Sequence, residues 1–128
     1  MKNFVQRRIG QILIGYSLLI LIVAVLPTNS TGHRIDRVHL GTFRLDHLIH
    51  TAQFLVWGII AWMYIGIKKI DKNKTMNIFV IGFILAICSE LVQKWLPYRG
   101  YGLYDLLGNV SGVVIALLGG ILVKAIKK

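Results

Sequence analysis

One stretch of an otherwise apolar sequence carries the side chains best suited to chemistry. Residues 89–109 read SELVQKWLPYRGYGLYDLLGN, and their polar members are Glu90, Gln93, Arg99, Asp105 and Asn109. The two carboxylates are among only five acidic residues in the chain. An ionisable group at membrane depth is costly, so by default it marks a functional site. Carboxylates can transfer protons, and an arginine can bind a phosphate or carboxylate with its two-pronged guanidinium group.

A second set of polar residues lies upstream. Asp46, His50, Gln53 and Trp57 follow one another at spacings of four, three and four residues. Those spacings place side chains on one face of a helix. The stripe covers the first half of an apolar segment, so we expect it to line one wall of a polar pocket.

The polar residues of three segments fall at a similar depth. Glu90 precedes Pro97 by seven residues, so it is expected about 10 Å inside the end of its helix. Asp105 and Asn109, four residues apart, begin the last segment. We therefore expect a pocket between the helices, with Arg99 above it pairing with a carboxylate or binding an anion. The alternative is an ion-pair network that fixes the register of the helices.

The composition indicates a membrane protein. Of 128 residues, 55% are apolar and 16% are charged, and the mean hydropathy is +0.66. The chain is short enough for one domain, spanning residues 1–128. Its net charge of +10 comes from lysines and arginines that flank apolar runs, which excludes a nucleic-acid-binding surface. A single cysteine, Cys88, excludes an internal disulfide.

Four apolar segments predict an all-α, integral membrane four-helix bundle. They cover about residues 9–26, 48–67, 76–96 and 103–126, close to the roughly 20 residues that cross a bilayer. The first segment could instead be a cleaved signal peptide. Because its apolar run is long and no Ala-x-Ala site follows, we predict a retained helix.

The basic residues predict an orientation. Four spans place both termini and the loop at 68–74 on one side, with ten of the 15 lysines and arginines. The positive-inside rule puts that side, and hence both termini, in the cytoplasm. The loop at 28–45, which contains His33 and His39, then faces outward and is interpreted as solvated surface.

Small residues recur every four positions in the last segment. They are Gly108, Gly112, Ala116 and Gly120. This spacing lets helices approach closely in a bilayer. Tight packing within the chain is the favoured interpretation, and a homo-oligomer formed through the same residues is left open.

The pattern of polar residues resembles the VanZ-like family. The matching motifs are Asp46-x-x-x-His50, Glu90-x-x-Gln93 before a loop with Pro97 and Arg99, and Asp105-x-x-x-Asn109-x-x-Gly112. They cover about residues 40–120, although relatives often read Pro-Gly-Arg where this chain has Pro97-Tyr98-Arg99. The resemblance implies a small multi-span protein of the bacterial cytoplasmic membrane. The family's namesake is associated with resistance to glycopeptide antibiotics such as teicoplanin.

The expected function is binding of an anionic lipid headgroup or a lipid-linked cell-envelope precursor in an outward-facing pocket. An effect on glycopeptide susceptibility would follow from the resemblance. Membrane lipids are the expected partners, and nucleic acid is not one. The expected binding residues are Asp46, His50, Gln53, Glu90, Gln93, Arg99, Asp105 and Asn109.

Two other functions remain open. One is a membrane enzyme acting on a lipid or lipid-linked phosphate, with His50 or Glu90 as general base. In one form of it, a metal held by Asp46, His50, Glu90 or Asp105 would activate water. We nevertheless predict no metal or other cofactor, because one intramembrane histidine with scattered carboxylates matches no zinc pattern. The other function is a small transporter.

Overall fold

The computed structural model describes residues 2–27, 39–40, 43–68 and 71–126. These ranges form four helices and two short strands: α1 Lys2–Val25, β1 His39–Leu40, β2 Phe43–Arg44, α2 Leu45–Lys68, α3 Lys72–Lys94 and α4 Leu103–Ile126. The strands pair antiparallel. The prediction of an all-helical architecture with four long helices is confirmed. The expectation for His33 falls outside the described residues.

Each helix is long and apolar enough to cross a membrane. The candidate spans are Arg7–Val25, Leu45–Gly66, Lys72–Lys94 and Leu103–Ile126. Many large apolar side chains on all four helices are exposed, as expected for surfaces that face lipid. The chain therefore has the elements of a multi-pass membrane protein.

Polar caps extend the helices beyond the apolar segments. The carboxylate of Asp71 accepts a hydrogen bond from the Lys74 backbone N–H at 2.8 Å. It thereby satisfies one of the unpaired donors of the first turn of α3. As a result, α3 begins at Lys72, one turn before the apolar segment predicted from residue 76.

The helices alternate in direction. Along α4, Gly108 lies against His47 of α2, whereas Gly120 lies against Trp62 near the other end of α2, so these two helices are parallel. Tyr64, late in α2, lies close to Gly10, early in α1, so α1 is antiparallel to them. We call the end where α2 and α4 begin the polar end, and the opposite end, which carries both chain termini, the terminal end.

The small residues of α4 pack against α2. A Cβ atom added to Gly112 would lie 2.9 Å from the Leu55 backbone nitrogen and 2.9 Å from Phe54 Cβ. One added to Gly58 would collide with Ala116. The two backbones thus approach as closely as glycine permits. An oligomer formed through the same face stays a prediction, because it would have to displace α2.

The core lies where the helices meet below the polar end. Phe54, Trp57 and Phe79 are fully or almost fully buried, and the Trp57 and Phe79 rings meet edge-on at 6.1 Å. The Trp57 indole also donates to Ser17 Oγ of α1 at 2.9 Å. The stripe position of Trp57 is therefore apolar core with an interhelical hydrogen bond to α1.

The turn between α3 and α4 holds the end of α1. Tyr98 Oη donates to the Val25 carbonyl at 3.0 Å, and Arg99 Nε to the Leu26 carbonyl at 2.9 Å. Arg99 Nη2 donates to the Val23 carbonyl. The expectation that Arg99 pairs with Glu90 or Asp105 is therefore wrong. Carbonyls at a helix C-terminus lack intrahelical partners and carry partial negative charge, so they attract the guanidinium group.

The contact at Gly112 gives a first prediction. Gly112→Ala should lower the free energy of unfolding by about 1–3 kcal/mol, because the added methyl group meets backbone that cannot move aside. Unfolding of the purified protein in mixed micelles would measure it.

Gly119→Ala is the matched control for that substitution. Nothing lies within 4 Å of the corresponding Cβ position. Alanine is favoured over glycine in a helix by up to about 1 kcal/mol, so this variant should be unchanged or slightly more stable. Equal destabilisation of both variants would contradict the close packing of α2 and α4.

The role of Arg99 gives a second prediction. Arg99→Ala should cost about 1.5–3 kcal/mol of stability through lost charge-assisted hydrogen bonds to α1. Arg99→Lys should recover only part of it, because an ammonium group cannot reproduce the fork.

Thermal melting in detergent would measure both Arg99 variants. Lys94→Ala, at an exposed basic residue of the same end, should melt like the native chain. An Arg99→Ala variant as stable as Lys94→Ala would refute the proposed attachment of α1.

Candidate functional site

Three helices bring polar side chains together at the polar end. We call this set the polar cluster; its members are Asp46, His47, His50, Glu90, Asp105 and Asn109. Parallel α2 and α4 contribute residues from their first two turns, and antiparallel α3 contributes a residue from its last turns. The cluster therefore follows directly from the helix directions.

His47 and Asp105 form the shortest contact in the cluster. His47 Nδ1 lies 2.8 Å from Asp105 Oδ1, and both side chains are less than one-fifth exposed. A carboxylate oxygen accepts, so Nδ1 donates, and the neutral ring keeps a lone pair on Nε2. The Tyr104 ring packs beside the imidazole, with centroids 5.5 Å apart. The pair thus presents an oriented imidazole whose Nε2 has no hydrogen-bond partner among the described residues.

His50 is held by Asn109 and faces Asp46. Its Nδ1 lies 3.0 Å from Asn109 Oδ1. The Asn109 amide nitrogen points the other way, 3.4 Å from both the Ala86 carbonyl and Ser89 Oγ. Because the amide oxygen accepts, His50 Nδ1 donates. Nε2 then faces Asp46 Oδ1 at 3.7 Å, a distance that indicates an ion pair when the ring is protonated rather than a hydrogen bond.

Glu90 is completely buried and only half satisfied. Its side chain is 0% exposed, and its Oε1 accepts a hydrogen bond from the Gly102 backbone N–H at 3.0 Å. Its Oε2 has no hydrogen-bond partner in the part of the chain that the structure describes. A buried oxygen of this kind requires a proton, water or ion to be stable.

Glu90 also lies nearer the helix end than its sequence position indicated. Helix α3 ends at Lys94, so Glu90 is one turn, about 6 Å, from the terminus rather than about 10 Å. Residues 95–97 lie beyond the helix, which explains the difference. The buried carboxylate is therefore at the depth of the first turns of α2 and α4.

Local backbone geometry favours negative charge here. Asp46 and Asp105 occupy the first turns of α2 and α4, where the helix dipole stabilises anions. Gly102 lets two carboxylates approach the same backbone, since it donates to Glu90 and an added Cβ would lie 2.9 Å from Asp105 Cγ. Only glycine leaves room for this arrangement.

Five of the eight predicted site residues lie together, namely Asp46, His50, Glu90, Asp105 and Asn109. For two of the other three, Gln53 and Gln93, the contacts described are made by the backbone. The Gln53 backbone carbonyl accepts from Tyr16 Oη of α1 at 3.1 Å. The backbone carbonyl of the buried Gln93 accepts from the Leu96 N–H. Arg99 holds α1, as described above.

Sequence reasoning missed His47. It precedes His50 by three residues and follows Asp46 directly. The i, i+3 spacing to His50 was a signal that could have placed it beside the same face. Asp46, His47 and Asp105 each offer a ligand atom within 4.8 Å of the others. This trio is thus the part of the cluster that could hold a metal ion.

Comparison with known proteins leaves the family open. No protein-family profile and no solved structure matches the chain. The chain is 29% identical over 73 residues to an uncharacterized protein of the fission yeast Schizosaccharomyces pombe. The alignment covers 56% of this chain and 45% of the yeast protein, so the chain spans less than half of that relative. The similarity is to a eukaryotic protein of unassigned function and names no ligand.

Proposed function

We propose that the chain is a multi-pass membrane protein whose polar cluster binds the polar headgroup of a lipid or of a lipid-linked cell-envelope precursor. The observation that carries the proposal is the fully buried Glu90 carboxylate, whose Oε2 has no hydrogen-bond partner among the described residues. It lies among His47, His50 and Asp105 at one end of four apolar helices. A binding site at that position faces headgroups rather than acyl chains.

Aromatic residues support this placement. Trp95 is 85% exposed and Tyr104 is 69% exposed, and both lie at the polar end beside the α3–α4 turn. Exposed tryptophan and tyrosine are typical of the membrane–water interface, where their rings are partly hydrated. The cluster is accordingly at headgroup level.

The donor and acceptor inventory indicates what the cluster would recognise. Glu90 Oε2 and His47 Nε2 are both acceptors, and they suit the hydroxyl or ammonium groups of a headgroup. An anionic headgroup with hydroxyl groups fits this description. Its phosphate needs a separate cationic partner, because Arg99 is engaged with α1.

The basic residues support an orientation with the polar end outward. Arg7, Arg8, Lys72, Lys74 and Lys124 lie on the terminal halves of their helices. We place these residues and both termini in the cytoplasm. The proposal also includes a VanZ-like identity, a location in a bacterial cytoplasmic membrane and an effect on glycopeptide susceptibility. These three parts rest on the motif resemblance.

A membrane enzyme is the second candidate, and the His47–Asp105 pair favours it. A carboxylate that fixes one imidazole nitrogen leaves the other to act as general base toward water or a headgroup hydroxyl. This makes His47 a better candidate base than His50, whose two nitrogens face Asn109 and Asp46. No contact in the described residues favours a transporter, since Phe54 and Trp57 close the core below the cluster.

Lipid retention tests the binding proposal. The full chain, purified in mild detergent, should carry about one phospholipid or lipid-linked phosphate per chain by native mass spectrometry. Glu90→Gln should reduce the bound fraction about tenfold, because it removes a buried charged acceptor.

Asp71→Asn is the control for this measurement. It makes the same carboxylate-to-amide change at the terminal end and keeps an N-capping side chain. Equal lipid retention by the native chain, Glu90→Gln and Asp71→Asn would refute binding in the cluster.

Lipid turnover tests the enzyme candidate. If the cluster is catalytic, membranes containing the native chain should release a new phosphate or headgroup product. His47→Gln should slow that release by about 10²–10⁴-fold, as expected for loss of a general base. The measurement is thin-layer or mass-spectrometric analysis of labelled lipids, and a rate equal to that of membranes without the protein would reject this candidate.

A further inference from the structure

We propose that the polar cluster binds one divalent transition-metal ion through Asp46, His47 and Asp105, with Glu90 as a fourth ligand. The site stands on the geometry of these four residues. Its role, binding the phosphate of the headgroup, rests on the proposed function.

The first argument is the spacing of the donors. One ligand atom from each of Asp46, His47 and Asp105 lies within 4.8 Å of the others. Ligands around a tetrahedral zinc ion lie about 3.4 Å apart, given bonds of about 2.1 Å. Metal binding would replace the 2.8 Å hydrogen bond between His47 and Asp105, and small side-chain rotations on fixed helices would adjust the remaining distances. The α2–α4 contact at Gly108 and Gly112 holds the two helices that supply all three donors.

The second argument is the unsatisfied oxygen of Glu90. This residue is buried, and the backbone N–H of Gly102 binds its other oxygen. Gly102 also touches the Asp105 carboxylate, so one backbone position lies against both Glu90 and a member of the trio. It lies within electrostatic range of Asp46, His50 and Asp105. This oxygen has no partner in the described residues and lies beside three possible ligands. Such an oxygen is expected of a ligand in an ion site.

The third argument is charge. Asp46, Glu90 and Asp105 bring three carboxylates within electrostatic range of one another. Like charges at this separation repel strongly in a low-dielectric setting. A divalent cation removes most of that repulsion. With four protein ligands, an anionic phosphate oxygen would bind by expanding the ion to five-coordination, despite the acidic surroundings.

The donor types indicate the class of metal. Carboxylate oxygens combined with an imidazole nitrogen suit Zn²⁺ or Mn²⁺ better than Ca²⁺ or Mg²⁺, which prefer oxygen alone. The only cysteine, Cys88, is exposed on α3, so thiolate-dependent metals are not expected. His50, which Asn109 holds by a hydrogen bond, lies 3.7 Å from Asp46 and forms an outer layer beside this ligand.

Metal binding by the full chain tests the site. The purified protein would be stripped with chelator and delipidated, then equilibrated with Zn²⁺ or Mn²⁺ alone and analysed by plasma mass spectrometry. We expect about one ion per chain, and Asp71→Asn should bind the same amount. Asp105→Asn and His47→Gln should each weaken binding at least about tenfold.

Cobalt spectroscopy covers the case in which a variant fails to fold. Co²⁺ added to the native chain should give visible absorption bands of mixed nitrogen and oxygen coordination, and Zn²⁺ should abolish them. Circular dichroism and gel filtration would first establish that each variant is folded. Absence of stoichiometric metal in the native chain, or equal binding by the native chain and every folded cluster variant, would overturn the site.

The same samples separate the metal site from the proposed function. Metal binding in delipidated protein supports the site even where no lipid co-purifies with the native chain. Lipid that remains bound after complete metal removal, in a chain that takes up neither Zn²⁺ nor Mn²⁺, overturns the site and leaves headgroup binding standing.

Discussion

The close contact between α2 and α4 is the constraint on which the rest of the structure depends. Gly58 and Ala116 meet at mid-helix, and Gly112 meets the α2 backbone nearer the polar end. Since the two helices run in the same direction, the contact brings their N-terminal turns side by side. Two aspartates in those turns gain the stabilising field of two helix dipoles. Small residues, and not polar ones, define the helix packing. The polar residues are therefore not needed for packing and can form a site among apolar helices.

The other two helices complete this pair in different ways. Helix α3 runs in the opposite direction and adds the buried Glu90, which binds the backbone just before α4. Helix α1 takes no part in the cluster, and Arg99 attaches it through its C-terminal carbonyls. The Arg99 guanidinium group, which resembles a ligand-binding group, therefore serves to hold α1 in place. The cluster is consequently more acidic than a site with a free guanidinium group would be.

Sequence reasoning predicted what depends on composition and spacing. Four long apolar runs gave the number of helices, and five of the polar residues indeed meet. The predicted pairing of Arg99 with a carboxylate was wrong because a sequence shows a charge in a turn without showing which unpaired carbonyls lie nearby. His47 was missed because the predicted polar stripe followed a single helix face, in steps of four and three residues from Asp46. Helix α2 instead contacts three neighbours, and its polar side chains divide between them.

The pairing of α2 with α4 also has a consequence for biogenesis. Helices enter a membrane in chain order, whereas this contact joins the second helix to the fourth. Until residues 103–126 have been inserted, the α2 backbone at Thr51 and Leu55 lacks the glycine surface that covers it in the folded chain. His47 likewise lacks its hydrogen-bond partner Asp105 until α4 is in place. The site therefore forms only after α4 has been inserted beside α2.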